Sequence, residues 1–248
     1  MPEKPPFPWP NGARAAASLT FDDGAPSQLD NAIPLLNDRG FRGTFYVTAH
    51  EAGPLDRSRD GWRDAVRAGH EIGNHSMSHP CSRNIGVGRM NLDDMTLDDM
   101  RREILAAKRR IEEAFPEQRA HSFAYPCGET HVGRGAAHTS YVPIVAEHYA
   151  VARYLGDGVV SNDPYEVDLT YTWSLMPVAL SGRRMIEMME EAAQRGRWTV
   201  YCFHGVGGDH LSVGLDAFRE LVDHLVANRR RIWTDTAINV GTWIREHR

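Results

Sequence analysis

Two distant stretches of the chain carry side chains that could do chemistry together. Thr20-Phe21-Asp22-Asp23-Gly24 closes an apolar run, and His75-Ser76-Met77-Ser78-His79-Pro80 follows much later. Two carboxylates and two imidazoles are the donors that hold a divalent cation, because they offer deprotonated oxygen and neutral nitrogen. A coordination position stays open for water when the protein supplies only three ligands. Adjacent carboxylates at a strand end point in different directions, so one aspartate can bind metal while its neighbour moves protons. His75 and His79 lie four apart, the spacing that aims two imidazoles at one point within a helical turn, which Pro80 keeps short. D-D-G alone is a common turn, and H-x-x-x-H alone means little among 12 histidines. Together they suggest a metal-dependent hydrolase.

The elements around these stretches alternate. Ala15 to Phe21 reads as a buried strand with the aspartates at its end, and Ser27 is placed to cap a helix carrying Leu29, Ile33 and Leu36 before Gly40. Gly43 to Val47 gives a second strand, Trp62 to Ala68 a short helix, and His70 to Gly73 a strand leading into the histidines. From Thr96, with Asp99 set for a capping box, Leu97, Met100, Ile104, Lys108, Ile111 and Phe115 keep helical spacing until Pro116. Further strands are expected at His121 to Tyr125, Tyr149 to Ala152, Trp198 to Phe203 and Arg231 to Trp233. Met185, Met188 and Ala192 line one helix between Ser181 and Arg195, and Leu215, Phe218, Leu221, Val222 and Leu225 line the next. The pattern predicts an α/β protein, a barrel or open sheet of mainly parallel strands. Its chemistry belongs at the strand C-termini, where Phe21, Gly73, Tyr125 and Phe203 end their strands. At 248 residues one domain accommodates all of this, with residues 1–14 as an extended N-terminal arm and residues 15–248 as the catalytic unit.

The combination T-F-D-D-G, N-H-S-M-S-H-P, F-A-Y-P-C-G and C-F-H-G resembles the ordered motifs of the polysaccharide deacetylase family, carbohydrate esterase family 4, the NodB-like deacetylases. The resemblance implies a distorted (β/α) barrel that removes acetyl groups from N-acetylglucosamine-containing glycans or acetylated xylan. It implies Asp23, His75 and His79 as metal ligands, Asp22 as general base, His204 as general acid and the backbone N–H of Cys127 as oxyanion donor. Zinc is the default ion, and the same donors accept cobalt, nickel, manganese or iron. Such a metal lowers the pKa of water and polarises the acetyl carbonyl. Tyr125, Pro126, Trp173 and Cys202 are the residues expected to line the substrate pocket.

The chain departs from the family pattern at the third motif. Many relatives begin it with an arginine that orients the base, but the matching position here is Ala124, so another cation must stand beside Asp22; Arg134 and Arg153 are the candidates. The three cysteines, Cys81, Cys127 and Cys202, cannot all pair within one chain, and reduced thiols packed as small hydrophobes are expected. His131, His138 and His210 lie in polar loops, where a surface role is the default, although His210 follows Gly207-Gly208-Asp209 and is placed to meet substrate.

A net charge of -5 gives no general attraction for nucleic acid or anionic membrane, and Arg229-Arg230-Arg231 reads as a solvated helix end. No apolar run approaches a membrane span or a signal core. A cytoplasmic location follows if Met1 is the natural start, whereas a secreted mature form would look the same. The partner expected is an acetylated oligo- or polysaccharide, and no oligomeric state can be read. Two other readings compete: an amidohydrolase for a small amide or ureide, and a carbohydrate-binding pseudoenzyme with a structural metal. Retention of both Asp22 and His204 weighs against the second, since a structural site needs neither.

Overall fold

Strand β1 (Ala15–Phe21) is buried at every position, so both of its faces and both of its edges must be covered. In the computed structural model, which describes residues 5–156 and 161–248, they are. Along one edge β9 (Trp198–Phe203) runs parallel from Ala16 opposite Trp198 to Phe21 opposite Phe203. The other edge is shared: β10 (Ile232–Thr234) pairs with the start of β1, and β2 (Thr44–Val47) pairs with its end. From β2 the sheet continues in parallel through β3 (Glu71–Asn74), β4 (Phe123–Ala124), β7 (Ala152–Leu155) and β8 (Thr172–Ser174). An isolated parallel bridge between Leu175 and Tyr201 brings β8 back toward β9, with Leu175 N donating to Val200 O at 2.9 Å and Cys202 N to Leu175 O at 2.8 Å. The result is a mainly parallel, nearly closed barrel. A small antiparallel hairpin, β5 (His131–Val132) with β6 (Thr139–Ser140), stands apart from it.

Strand alternation then sorts the side chains of β1. Ala15, Ala17, Leu19 and Phe21 enter the core that packs sheet against helices, where the Phe21 ring stacks on Phe45 and Phe203 at centroid distances of 4.6 and 5.3 Å. Each such ring contributes roughly 1.5–3 kcal/mol by leaving water. Ser18 and Thr20 point the other way, into the barrel, where Ser18 Oγ accepts from Trp198 Nε1 at 3.0 Å. Continuing that alternation places Asp22 at the inner, C-terminal mouth.

The outer layer consists of α1 (Ile33–Arg39), α2 (Pro54–Arg57), α3 (Arg59–Arg67), α4 (Leu97–Ala114), α5 (Val142–His148), α6 (Gly182–Gln194), α7 (Leu215–Ala227) and α8 (Ala237–His247). Helix α4 opens on the expected capping box: Asp99 N donates to Thr96 Oγ1 at 3.2 Å, and Thr96 N to Asp99 Oδ2 at 2.9 Å. Met100, Ile104, Ala107 and Ile111 form its buried stripe. Among the described residues, no helix is long and apolar enough to cross a membrane.

Several local expectations change. Ser27 caps no helix; its Oγ accepts from Val206 N at 3.1 Å, and residues Gln28–Ala32 make a wider π-type turn before α1. Met189, not Met188, fills the core beside Met185, because the inward face of α6 repeats at i, i+4 and i+7 through Met185, Met189 and Ala192. Strand β7 begins at Ala152, where the predicted strand was to end. Strand β8 and helix α8 are additions to the expected elements; α8 buries Ala237, Val240, Gly241 and Ile244 at helical spacing, whereas β8 is only three residues long. Residues 1–4 of the expected N-terminal arm lie outside the described residues. The rest of the arm is clamped to the barrel: Phe7 and Trp9 are buried, Trp9 Nε1 donates to Gly196 O at 3.1 Å, and Trp243 Nε1 to Pro8 O at 3.0 Å.

Candidate active site

The C-terminal ends of β1, β3, β4 and β9 open into one cavity of about 830 Å³, lined by Asp22, Asp23, His75, His79, Cys127 and His204 among others. Immediately after β1 the backbone turns into the left-handed region at Asp23 (φ 70°) and Gly24 (φ 63°). Gly24 is demanded twice over, since a Cβ there would lie 2.8 Å from Pro54 Cβ. The turn keeps Asp22 inside the barrel and lifts Asp23 toward the histidines. Asp23 Oδ1 sits 3.5 Å from His75 Nε2 and 3.3 Å from His79 Nε2, and one ligand atom from each of the three lies within 4.8 Å of the others.

These separations suit a metal. Ligands about 2.0–2.1 Å from a tetrahedral ion are roughly 3.3 Å apart. The donor set also fits, because His75 Nδ1–H donates to Ala124 O at 2.9 Å, which leaves the Nε2 lone pair facing Asp23. Burial holds the His75 pKa down to about 4, so the ring is neutral and ready to ligate. His79 arrives through a bend rather than the helical turn its spacing suggested: Ser76 and His79 both have positive φ, at 63° and 55°. Ser78 anchors that bend, with its N and Oγ each donating to Glu103 Oε2 at 2.8 Å. Strained residues of this kind cost of order 1–3 kcal/mol each and persist where surrounding structure over-determines them.

The other oxygen of Asp23 has its own partner. His210 Nε2 lies 2.7 Å from Asp23 Oδ2, and His204 Nε2 lies 3.9 Å from it. Burial would raise the Asp23 carboxyl, but the His210 hydrogen bond and the neighbouring imidazoles prevail and hold it well below the usual carboxylate range. The same bond raises His210. His210, read from sequence as a polar-loop residue, is therefore tied to a metal-ligand candidate.

Asp22 is 4% exposed and asymmetrically held. Its Oδ2 accepts from Arg153 Nη2 and lies 3.3 Å from the Cys202 thiol, while its Oδ1 is buried with no partner among the described residues. Burial raises the carboxyl, but Arg153 leads the opposing charges and the net direction is down. Arg153 thus stands where the third-motif cation was missing, and its Nη1 donates to Ser174 Oγ at 3.1 Å. Arg134, the other candidate, is exposed and lies 3.5 Å from Asp94 instead. Gln28, absent from the sequence-based candidates, ties the ends of β1 and β9 together: its Nε2 donates to Asp22 O at 2.5 Å and His204 O at 3.1 Å.

Cys127 sits at φ 55° in the turn after β4, and its amide donates to no backbone carbonyl among the described residues. Contrary to the expectation of free thiols, Cys127 is joined to Cys81 in a disulfide across 46 residues, leaving Cys202 as the free cysteine. The barrel brings together the loops after β3 and β4, which sequence distance conceals. Burial pushes the Cys202 thiol well up, so it remains a neutral donor rather than a nucleophile. Of the expected pocket residues, Tyr125 and Cys202 line the cavity, whereas Pro126 and Trp173 are not among its lining. Trp173 packs against Tyr154 at 5.6 Å, and Leu155 and Met176 reach the cavity from this side. His204 closes the group. It is lowered chiefly by burial, and its Nδ1 has no partner among the described residues.

The polysaccharide deacetylase family model matches residues 10–139. Among curated proteins, a chitooligosaccharide deacetylase of Sinorhizobium fredii is 32% identical over 111 residues, which cover 44% of this chain and 46% of that protein. A chitin deacetylase of Arthroderma benhamiae is 29% identical over 92 residues, 37% of this chain and 25% of that one. The chain therefore spans less than half the length of these curated relatives. A solved structure assigned as a polysaccharide deacetylase from Mycobacterium smegmatis superposes with a TM-score of 0.63 at 15% identity, covering 98% of this chain and 94% of that one. At that identity the likeness speaks for the fold.

Proposed function

The chain belongs to the polysaccharide deacetylase family, and from that premise we propose that it hydrolyses acetyl groups from an acetylated carbohydrate, with N-acetylglucosamine oligosaccharides as the first substrates to test. One observation carries this reading: Asp22 is fixed through one oxygen and unpartnered at the other, beside three side chains spaced to hold a cation. A site built only to bind a metal would have no use for that free carboxylate oxygen.

Asp23, His75 and His79 would hold the divalent ion, zinc by default for two imidazoles and a carboxylate. When bound, it supplies Lewis acidity toward the acetyl carbonyl and acidifies water at neutral pH. Asp22 Oδ1 takes the proton of the attacking water, and the Arg153 guanidinium keeps the base ionised and aimed. The Cys127 amide, without a carbonyl to satisfy, receives the oxyanion, a role worth about 2.7–4 kcal/mol in comparable sites. His204 hands a proton to the departing amine or alcohol, without which an acetamide does not release its nitrogen.

The test is acetate release from chitooligosaccharides, acetylxylan and small acetamides, before chelation, after it, and after zinc is restored. Release from the oligosaccharide, lost and regained with zinc, is the expected outcome. Release confined to small acetamides would move the assignment to an amidohydrolase, and no release from any substrate would reject the hydrolytic reading.

A further inference from the structure

The cavity that holds the catalytic group extends to a wall of different chemistry. Arg57, the last residue of α2, and Arg89, in the loop between β3 and α4, both line it, as does His50. Neither guanidinium has an ion-pair or side-chain hydrogen-bond partner among the described residues, although arginines around them do. Asp56, the neighbour of Arg57, is occupied by Arg59 and Arg110 at 2.7 Å each and by Ala52 N at 3.0 Å. In the loop that carries Arg89, Arg83 is paired with Asp94. Two uncompensated cations therefore face a cavity in a chain whose net charge is -5, a local field opposite in sign to the whole.

His50 is held against this wall by construction. A Cβ on Gly53 would lie 1.8 Å from His50 Nδ1, so the glycine makes room for the ring. That nitrogen is buried without a partner among the described residues. His50 shares the cavity wall with both arginines, and burial first, then Arg89 and Arg57, lower its pKa. Tryptophan is absent from the lining and Tyr125 is its one phenol ring, so stacking on a neutral sugar has little to rest on here.

We infer that Arg57, Arg89 and His50 form an anion-binding subsite that selects an acetylated sugar whose neighbouring unit carries a carboxylate or a phosphate. The inference rests on the deacetylase reading for what is cleaved, but not for what is bound. Arginines without partners bind such groups through paired, charge-assisted hydrogen bonds, and the neutral imidazole adds one donor or acceptor. The subsite would act mainly on substrate capture, since none of its three side chains is among the residues proposed to move protons.

Acetate-release kinetics on chitotriose, on the trisaccharide carrying a C6 carboxylate on a terminal ring, and on the C6-phosphorylated form test the inference and distinguish the two anions. At least one charged substrate should show a KM about tenfold or more below that of chitotriose, with a similar kcat. In the Arg57→Ala/Arg89→Ala variant the ratio should fall toward one, and Arg57→Lys/Arg89→Lys should recover part of it. Equal KM values in the wild type, or a ratio that survives in the alanine variant, overturn the subsite. Calorimetric binding of glucosamine 6-phosphate and glucuronate, neither of which has an acetyl group, reads the subsite separately. Weaker binding to the alanine variant supports it even if no acetate is ever released, and equal binding to both proteins counts against it.

Discussion

Ala124 and Arg153 are register partners on the adjacent parallel strands β4 and β7, so their side chains face the same barrel interior, and Arg153 reaches the carboxylate of Asp22 from there. The cation missing from one strand is thus supplied one strand over, onto the same oxygen-bearing group. Arg153→Ala should lower turnover about 100-fold with zinc content unchanged, because the base loses its orienting charge while the metal donors keep theirs. The double variant Ala124→Arg/Arg153→Ala should regain part of that loss if the charge matters more than the strand it comes from. Wild-type turnover in Arg153→Ala would remove Arg153 from the mechanism.

His204 should matter in proportion to how badly the leaving group needs a proton. His204→Ala is expected to lose about 10²–10⁴ in turnover on an N-acetyl sugar. Its loss should be much smaller on an aryl acetate, whose phenolate departs unaided. Comparable losses on both substrates would make His204 a structural residue of the loop after β9 rather than the acid.

His210 tests whether a hydrogen bond behind a ligand tunes the metal site. Its Nε2 holds Asp23 Oδ2 at 2.7 Å, leaving Oδ1 toward His75 and His79. His210→Ala should weaken zinc affinity about 10–100-fold, measured by competition with a chelator, with turnover near wild type once zinc saturates. His210→Gln, which keeps a donor, should recover part of the affinity. Unchanged affinity in both variants would leave the contact without consequence for the metal.

What the sequence disclosed and what it hid follow a physical division. Asp22, Asp23, His75 and His79 were legible because each pair is local and the donor types are restrictive, and α4 was legible because its cap and its stripe lie within the helix. Arg153 could be named only as a candidate, since its role depends on the register of β7 against β4, and β7 starts three residues later than the apolar run suggested. The Cys81–Cys127 bridge, the reach of Gln28 to two strand ends and the return of His210 to Asp23 are all closures across the barrel mouth. Trp173 shows the converse: an aromatic suggested for the pocket packs among other rings because β8, three residues long, carries no pattern that reveals which way it faces.

Glu71 gives a stability prediction independent of catalysis. It is 3% exposed and has no ion-pair partner among the described residues, yet it accepts from Ser122 N and Oγ at 2.6 Å, Thr44 Oγ1 at 2.8 Å and Ile238 N at 3.1 Å, joining β2, β3, the approach to β4 and the first turn of α8. Glu71→Ala should cost about 2–4 kcal/mol, since it strands two buried amides. Burial outweighs the donated hydrogen bonds and raises the carboxyl above the ordinary glutamate value. The folded protein therefore binds this proton more tightly than the unfolded chain does. Its contribution to stability is full below the ordinary carboxylate range, is lost as pH rises through the higher folded value, and is flat beyond. Glu71→Gln does not titrate, so its deficit in unfolding free energy against wild type should shrink as pH is raised from about 4 to about 8, although carboxylates elsewhere move both proteins together. A deficit that stays constant or grows over that range would mean that Glu71 is not raised, and that the four donors hold it as a carboxylate throughout.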